Sequence, residues 1–403
     1  MQVDRRRLHG GPDCGCRHHW RGRHGLFHRL SSRPARGFFS GRIVVVEADP
    51  AYETCASARS AASVRQQFSS AINIEISLYG IRFLREIGIA LEVNGERPTI
   101  DLHEGGYLFL ATPDKVGILE ENHTLQQQLG ADIGFYDPAG LKAKFPWLEV
   151  SDLAAGCHGL SGEGWFDGYG LMQAFRRKAR ALGVDYLAAR AEVEPDGTGA
   201  WRISLSSGET LSAPVVVNCA GGGRRNGNLP PGGTGRSDRS PQTLRVHLRM
   251  PREAGKKFPL LIDPSGTYVR PEGTGYICGS APPADRDPDC SDFDVDHALF
   301  EEYIWPVLAA RVPAFEAIKP GAAWAGTYDM NLFDHNAFIG AVPGLDGFFL
   351  ALGFSGHGLQ QAPAVGRGLA ELIATGAYQS LDLSPLSIER LAANKPIVER
   401  NVV

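Results

Sequence analysis

Apolar positions along the chain fall into runs whose spacing switches between that of buried strands and that of helices, and together they outline an α/β framework. In "SGRIVVVEADP" (Ser40 to Pro50), Ile43 to Val46 run straight into Glu47 and a turn, the pattern of a buried parallel strand ending in an acid. "INIEISLYGIRFLREIG" places Ile72, Ile76, Tyr79, Phe83 and Ile87 on one helical face. Between about 96 and 160, short strands such as "GGYLFLAT" alternate with polar turns, which predicts an antiparallel module. "DGYGLMQAFRRKARALGV" predicts a helix with Leu171, Phe175 and Leu182 inward and Arg176, Arg177, Lys178 and Arg180 in solvent. "APVVVNCAGGG" (Ala213 to Gly223) reads as a buried strand ending in glycine. "DGFFLALGFSGHGLQQAPAVGRGLAELIATG" reads as a strand (Phe348 to Leu352), a glycine-rich turn, and a helix with Pro363 in its first turn. Val365, Leu369 and Leu372 form that helix's inner face, and Gly376 marks its stop.

A buried strand ending in an acid is how the second strand of a dinucleotide-binding unit reads, with Glu47 placed to accept hydrogen bonds from a ribose. Such a strand requires an apolar strand, a G-x-G-x-x-G turn and a helix within about 30 residues upstream. The chain offers instead "HGGPDCGCRHHWRGRHGLFHRLSSRPARGF". Residues 1–38 carry nine arginines and five of the twelve histidines, and 221–249 are similarly rich in Gly, Arg, Pro and Ser. On composition these read as a disordered tail and a solvated loop, the first also as an Arg-rich, acid-poor transit peptide. Cys14, Cys16, His18 and His19 lack the spacing of a closed zinc site, so no metal is expected.

A further reading of the first stretch uses only the genetic code. Shifting the codons of Asp13 to His28 by one nucleotide gives a string compatible with "IVxVVIIGxGxMGSSI", if arginines use CGN and Leu26 uses CTN. Trp20 followed by a CGN arginine becomes the first glycine of the motif, and Gly22 and Gly25 with their neighbours can supply the other two. Residues 1–38 are therefore read as out of frame. The same reading is extended to 221–249, where less supports it.

Composition adds bounds. A chain of 403 residues with 43% hydrophobic residues is long enough for two domains, and a net charge of -4 gives no basic face for nucleic acid. The seven cysteines are odd in number and scattered, without a C-x-x-C pair, which argues for a reducing compartment. No apolar run approaches the roughly 18 residues that span a bilayer. The N-terminus lacks the apolar core of a secretory signal, so the expectation is a soluble, cytoplasmic protein. Gly353, Gly356 and Gly358 let backbone N–H groups approach a ligand at a helix N-terminus, which suits the negative charge that a reduced flavin develops.

"WAGTYD", "GFSGHGLQQAP", "GEGWFDGYGL" and "VVNCAG" together resemble the D-amino-acid oxidase and sarcosine oxidase superfamily of flavoproteins. From about Phe258 to Val403, including "ARVPAFE" and "SLDLSP", the chain is especially similar to a mitochondrial branch of FAD-dependent oxidoreductase domain-containing proteins implicated in respiratory complex I assembly. The resemblance covers about 40–220 and 250–403. It implies an α/β (α+β overall) fold: a discontinuous Rossmann-like FAD-binding domain (1–95, 160–222 and 320–403) and a smaller antiparallel β-rich substrate domain (96–159 and 223–319). It implies FAD contacts from Glu47, from Ser57 and Ser60 in the "SARSAASVR" loop, and from Val193 at adenine. Ala220, Gly221, Gly353, Phe354, Ser355, Gly356, His357 and Gly358 complete that set.

Members of the superfamily oxidise a C–N bond of an amine or amino acid, and the resemblance implies Arg65, His357 and Gln360 as catalytic. Arg65 falls where such enzymes keep an arginine for the substrate carboxylate, the alternative being a surface arginine at a helix start. His357 is either an acid-base group or a turn histidine whose backbone matters more than its ring. Gln360 stands where sarcosine oxidase has a lysine, and "WAGTYDMN" lacks the cysteine that attaches FAD covalently there, so non-covalent FAD is expected. The implied partners are a small amine or amino-acid substrate and oxygen or a quinone-type electron carrier. The other class open to the sequence is an assembly factor for a respiratory complex, in which FAD would be structural.

Overall fold

A computed structural model of the chain describes residues 41–221, 242–249, 258–281, 293–327 and 329–400. The reading of 1–38 as out of frame, and that of 222–241, lie outside these residues. Two parallel fragments carry the Rossmann-like part. Val44–Glu47 pairs in parallel with Asp185–Ala188, and Val216–Asn218 pairs in parallel with Phe348–Leu352, which pairs antiparallel with Phe338–Ala341. Among the described residues, Val44–Glu47 and Val216–Asn218 each have a neighbour on one side only. The sequence predicts buried strands at both places. Instead Val44–Glu47 is half-buried throughout and Val217 is 37% exposed, as expected where one flank of a parallel strand lacks its partner.

Helices cover these strands. Helix Ala71–Arg85 follows the predicted stripe, but Ile74, Ile81 and Leu84 are buried as well, because the helix packs into three hydrophobic clusters. Helix Gly168–Ala181 starts on Asp167, whose side chain accepts from the Gly170 N–H. It buries Leu171, whereas Leu182, predicted inward, lies just past its end and is exposed. Helix Gly358–Thr375 stops at Gly376 with φ 76°, the left-handed cap that glycine adopts without strain. Pro363 sits inside this helix rather than in its first turn, since the helix begins at Gly358.

The second part is an eight-stranded sheet. Its order is Lys319–Thr327, Gln242–Arg249, Gly275–Ser280, Tyr268–Glu272, Leu260–Ile262, Tyr107–Ala111, Ala155–Gly159 and Ile133–Tyr136. All its pairs are antiparallel except Leu260–Ile262 with Tyr107–Ala111. Helices Val116–Gln128 and Pro138–Lys144 interrupt the stretch that the sequence reads as strands and turns alone. The boundary drawn at 320 falls at the start of strand Lys319–Thr327, which belongs to this sheet. Strand Gln242–Arg249 alternates as an in-frame strand should, with Leu244, Val246 and Leu248 in the core, and pairs on both sides. The out-of-frame reading of 221–249 therefore stops short of 242.

A polar latch closes the C-terminal segment onto the first part. Arg390 donates to both oxygens of Asp334 at 2.7 and 3.0 Å and to the Leu386 and Asn336 carbonyls, and Asp334 is fully buried. Glu399 is buried and accepts from the Ser69 N–H, the Ser69 and Ser70 hydroxyls and the Asn73 amide.

Candidate functional site

The site is organised from beneath by Glu163. Its carboxylate accepts from the Gln66 N–H at 2.6 Å, the Gln67 N–H at 3.1 Å, the Gln67 side-chain amide at 2.8 Å and the Tyr107 N–H at 3.4 Å. Gly164, bridging to strand Ser63–Val64, leads away from it with φ 158°. These bonds tie the loop after Val64 to the edge of strand Tyr107–Ala111. Complete burial lifts the Glu163 pKa to about 7, although the four donors oppose the shift. A carboxyl whose folded pKa lies above its unfolded value stabilises the fold below the unfolded value and loses that contribution as pH rises through the folded one. Glu163→Gln is expected to destabilise the chain at pH 5.5 and to lose about 2 kcal/mol of that deficit by pH 8, because the native carboxylate ionises meanwhile. Urea unfolding of both proteins at the two pH values measures this; a deficit that grows with pH would contradict it.

Above this base stands Arg65, buried rather than at the surface. Its guanidinium donates to the Gln67 carbonyl at 3.0 Å, faces His357 Nε2 at 3.0 Å, and lies over the rings of Phe68 and Phe109 at 4.3 and 5.2 Å from their centroids. Its backbone N–H donates to Gln360 Oε1 at 2.8 Å. The three residues that the resemblance implies as catalytic thus form one cluster. Burial first, then the Arg65 and His335 charges, holds the His357 pKa well below its usual value. Arginine can only donate, so neutral His357 accepts at Nε2 and carries its proton on Nδ1. Its ring is further fixed edge-on to Phe68 at 5.0 Å.

A cavity opens beside this cluster, lined by Ser60, Arg65, Tyr107, Arg245, Tyr268 and His357, among others. Among the described residues its lining holds two guanidinium groups and no carboxylate. Glu163, Tyr107, Arg245 and Tyr268 are absent from the sequence-based site. Nothing marks a buried acid between glycines, and Arg245 lies in the stretch read as out of frame.

Of the implied FAD residues, Ser60, Gly356 and His357 line this cavity, and the others lie elsewhere. The turn Gly353–Gly356 carries φ values of 75°, 51° and 86° at Gly353, Ser355 and Gly356. It is held from outside: the Gly353 N–H donates to the Asp329 carboxylate, the Ser355 N–H to the Asp329 carbonyl at 2.8 Å, and the Asn331 N–H to the Ser355 hydroxyl at 2.9 Å. The Gly353 N–H is therefore engaged within the protein, unlike the sequence-based expectation. Phe354 packs in the apolar core beside helix Gly358–Thr375, and the Ala220 N–H donates to Asn218 Oδ1. Gly221 faces Asp329, so both glycine-rich strand ends meet at this one carboxylate. Ser57 lines a second recess with Tyr52, Met172 and Gly358. Val193 packs half-buried in the three-stranded sheet Ala191–Pro195, Trp201–Leu205, Thr210–Ala213. Glu47 accepts the Asp49 N–H at 2.8 Å across its own turn.

Whether these residues fit FAD is answered differently at its two ends. Asp329 Oδ1 is buried with no hydrogen-bond partner among the described residues, and burial raises the carboxyl's pKa. A hydroxyl-bearing chain such as the ribityl group satisfies that acceptor, so the flavin end fits. At the diphosphate end, the G-x-G-x-x-G turn expected upstream of Val44 does not occur among the described residues, which begin at 41.

With this geometry established, the fold is that of amino-acid-oxidising flavoenzymes. The L-proline dehydrogenase from P. horikoshii superposes with a TM-score of 0.77 at 22% identity, over 92% of this chain and 94% of that one. The glycine oxidase from Geobacillus kaustophilus gives 0.70 at 20% identity, over 86% and 91%. Residues 28–372 match the DAO family, described as FAD dependent oxidoreductase. FAD-dependent oxidoreductase domain-containing protein 1 of Xenopus laevis is 41% identical over 395 residues, 90% of this chain and 79% of that protein. Its Bos taurus counterpart is 38% identical over 87% of this chain and 78% of its own length. The chain belongs to the DAO family of FAD-dependent oxidoreductases, and FAD is its cofactor.

Proposed function

We propose that the chain oxidises a C–N bond of an amino acid or N-substituted amine. The observation that carries this reading is the buried Arg65–His357–Gln360 cluster on a cavity lined by two arginines. FAD, when bound, supplies the two-electron oxidant that takes a hydride from the carbon next to nitrogen. The chain's own residues bind and orient. Arg65 holds the substrate carboxylate, a task suited to a planar guanidinium already pinned by Gln67 and His357. Neutral His357 adds no second charge beside the amine, and Gln360 fixes the Arg65 backbone. The likeness of fold to a proline dehydrogenase and a glycine oxidase supports an amino-acid substrate.

Anaerobic mixing of a panel of N-methyl and D-amino acids with the protein reconstituted in excess FAD tests the reading. At least one is expected to bleach the flavin; a protein that binds FAD and is reduced by none would favour a structural cofactor in an assembly factor. Arg65→Ala is expected to raise the KM of a bleaching substrate about tenfold or more while leaving FAD content nearly unchanged, because the clamp belongs to the substrate. Parallel loss of FAD and of substrate affinity would reassign Arg65 to the cofactor.

A further inference from the structure

A guanidinium clamps a carboxylate well only if it is itself held in place. Four groups hold that of Arg65: the Gln67 carbonyl, the Phe68 and Phe109 rings, and His357. Three of these four sit on two separate elements. Gln67 and Phe68 lie in the loop after strand Ser63–Val64, and Phe109 lies in strand Tyr107–Ala111. Glu163 joins the two elements. Its Oε1 accepts from the Gln66 and Gln67 N–H groups in the loop, and its Oε2 from the Gln67 side-chain amide and from the Tyr107 N–H at the head of the Phe109 strand. The Gln67 amide spans the same gap by donating to the Tyr107 carbonyl at 3.4 Å.

The chemistry at this junction calls for a carboxylate. Four donors converge on it, and only a group that accepts at both of its atoms and donates at neither meets them all. An amide in its place would turn an NH2 group toward two of the donors, and the Gln67 side chain or its peptide would have to swing away. Gly159 leaves the room that the carboxylate fills, since a methyl there would overlap Glu163 Oε2. Gly159 closes strand Ala155–Gly159, an extended backbone that alanine also adopts, so it is the space and not the conformation that requires glycine. Glu163 is fully buried and lies beneath the cavity rather than on its lining.

From this arrangement we infer that Glu163 is a positioning residue for the substrate carboxylate: by locking the loop to the strand it sets the angle at which the Arg65 guanidinium meets that carboxylate, without touching the substrate itself. This rests on the amino-acid reading above, and the test separates the two. Misplacement of an orienting group by about 1 Å can cost on the order of a hundredfold in rate, so the lock matters even though Arg65 keeps its charge. Ligand-observed NMR titrations of the purified chain in excess FAD compare two inert carboxylates, butyrate and benzoate, with their neutral amides, butyramide and benzamide. The wild-type chain is expected to bind the better carboxylate at least about tenfold more tightly than its amide, the worth of one charge-assisted contact. In Glu163→Gln that ratio is expected to fall to about threefold or less, while the amide affinity stays within about twofold of wild type. Gly159→Ala is expected to do the same, because its methyl displaces the carboxylate while leaving it in the protein, and this variant decides the matter if Glu163→Gln fails to fold. A carboxylate that merely supports the fold would weaken both probes in step. That outcome, or a ratio unchanged in the folded variants, overturns the positioning role and leaves the amino-acid reading standing. A wild-type ratio near one overturns the Arg65 clamp and this inference with it.

Discussion

Purified as it stands, the chain is expected to be largely colourless, and a version with residues 13–39 restored to the shifted frame is expected to bind FAD. The reason lies in the two parallel fragments, Asp185–Ala188 with Val44–Glu47 and Val216–Asn218 with Phe348–Leu352, in which Val44–Glu47 and Val216–Asn218 each have a neighbour on one side only among the described residues. The shifted frame encodes an apolar run followed by G-x-G-x-x-G, the sequence of a parallel strand that would pair with such an open flank. That turn delivers the N–H donors of a helix N-terminus to the diphosphate. Charge-assisted hydrogen bonds contribute about 1.5–3 kcal/mol each, so the loss of two weakens Kd at least a hundredfold. The ratio of flavin to protein absorbance in the two preparations measures the effect. A gene whose intact frame encodes these arginines and histidines, together with stoichiometric FAD in the unaltered protein, would refute it.

Arg390→Met is expected to lower the unfolding free energy by about 3–5 kcal/mol. Asp334 is fully buried and takes both of its shortest bonds from Arg390, with the Asn336 and Ile397 N–H groups and the Asn331 amide as its other donors. Without the guanidinium its charge has no counterpart in a medium that solvates it poorly. Pairing the change with Asp334→Leu should recover part of the loss, since two apolar side chains leave no orphaned ion. Denaturant unfolding of the three proteins checks this. A double variant less stable than the single one would show that the carboxylate matters more to its backbone donors than to its arginine.

Much of the framework was legible because period and punctuation agreed. Strand Phe348–Leu352 and the stop at Gly376 follow from an apolar run and a glycine with positive φ, both local in cause. Helix Val116–Gln128 was not legible: its sequence is mostly polar, and much of its burial comes from tertiary partners, such as Gln126 bonding the Phe68 carbonyl. Leu182 misled because periodicity continues past the residue where the helix ends. In the site, resemblance located Arg65, His357 and Gln360, yet only register connects Arg245 with them, through strands distant in sequence. Glu163 was invisible for a related reason, since a buried carboxylate is defined by donors supplied from elsewhere.

The Glu399 latch also bears on the order in which the chain is made. It joins positions 330 residues apart, binding the Ser69 N–H just ahead of helix Ala71–Arg85. A ribosome adding roughly 5 to 20 residues per second needs about 20 to 60 seconds to travel that distance. Throughout that interval the Ser69, Ser70 and Asn73 donors have no carboxylate from Glu399, and the contact that completes them cannot form before Glu399 is made.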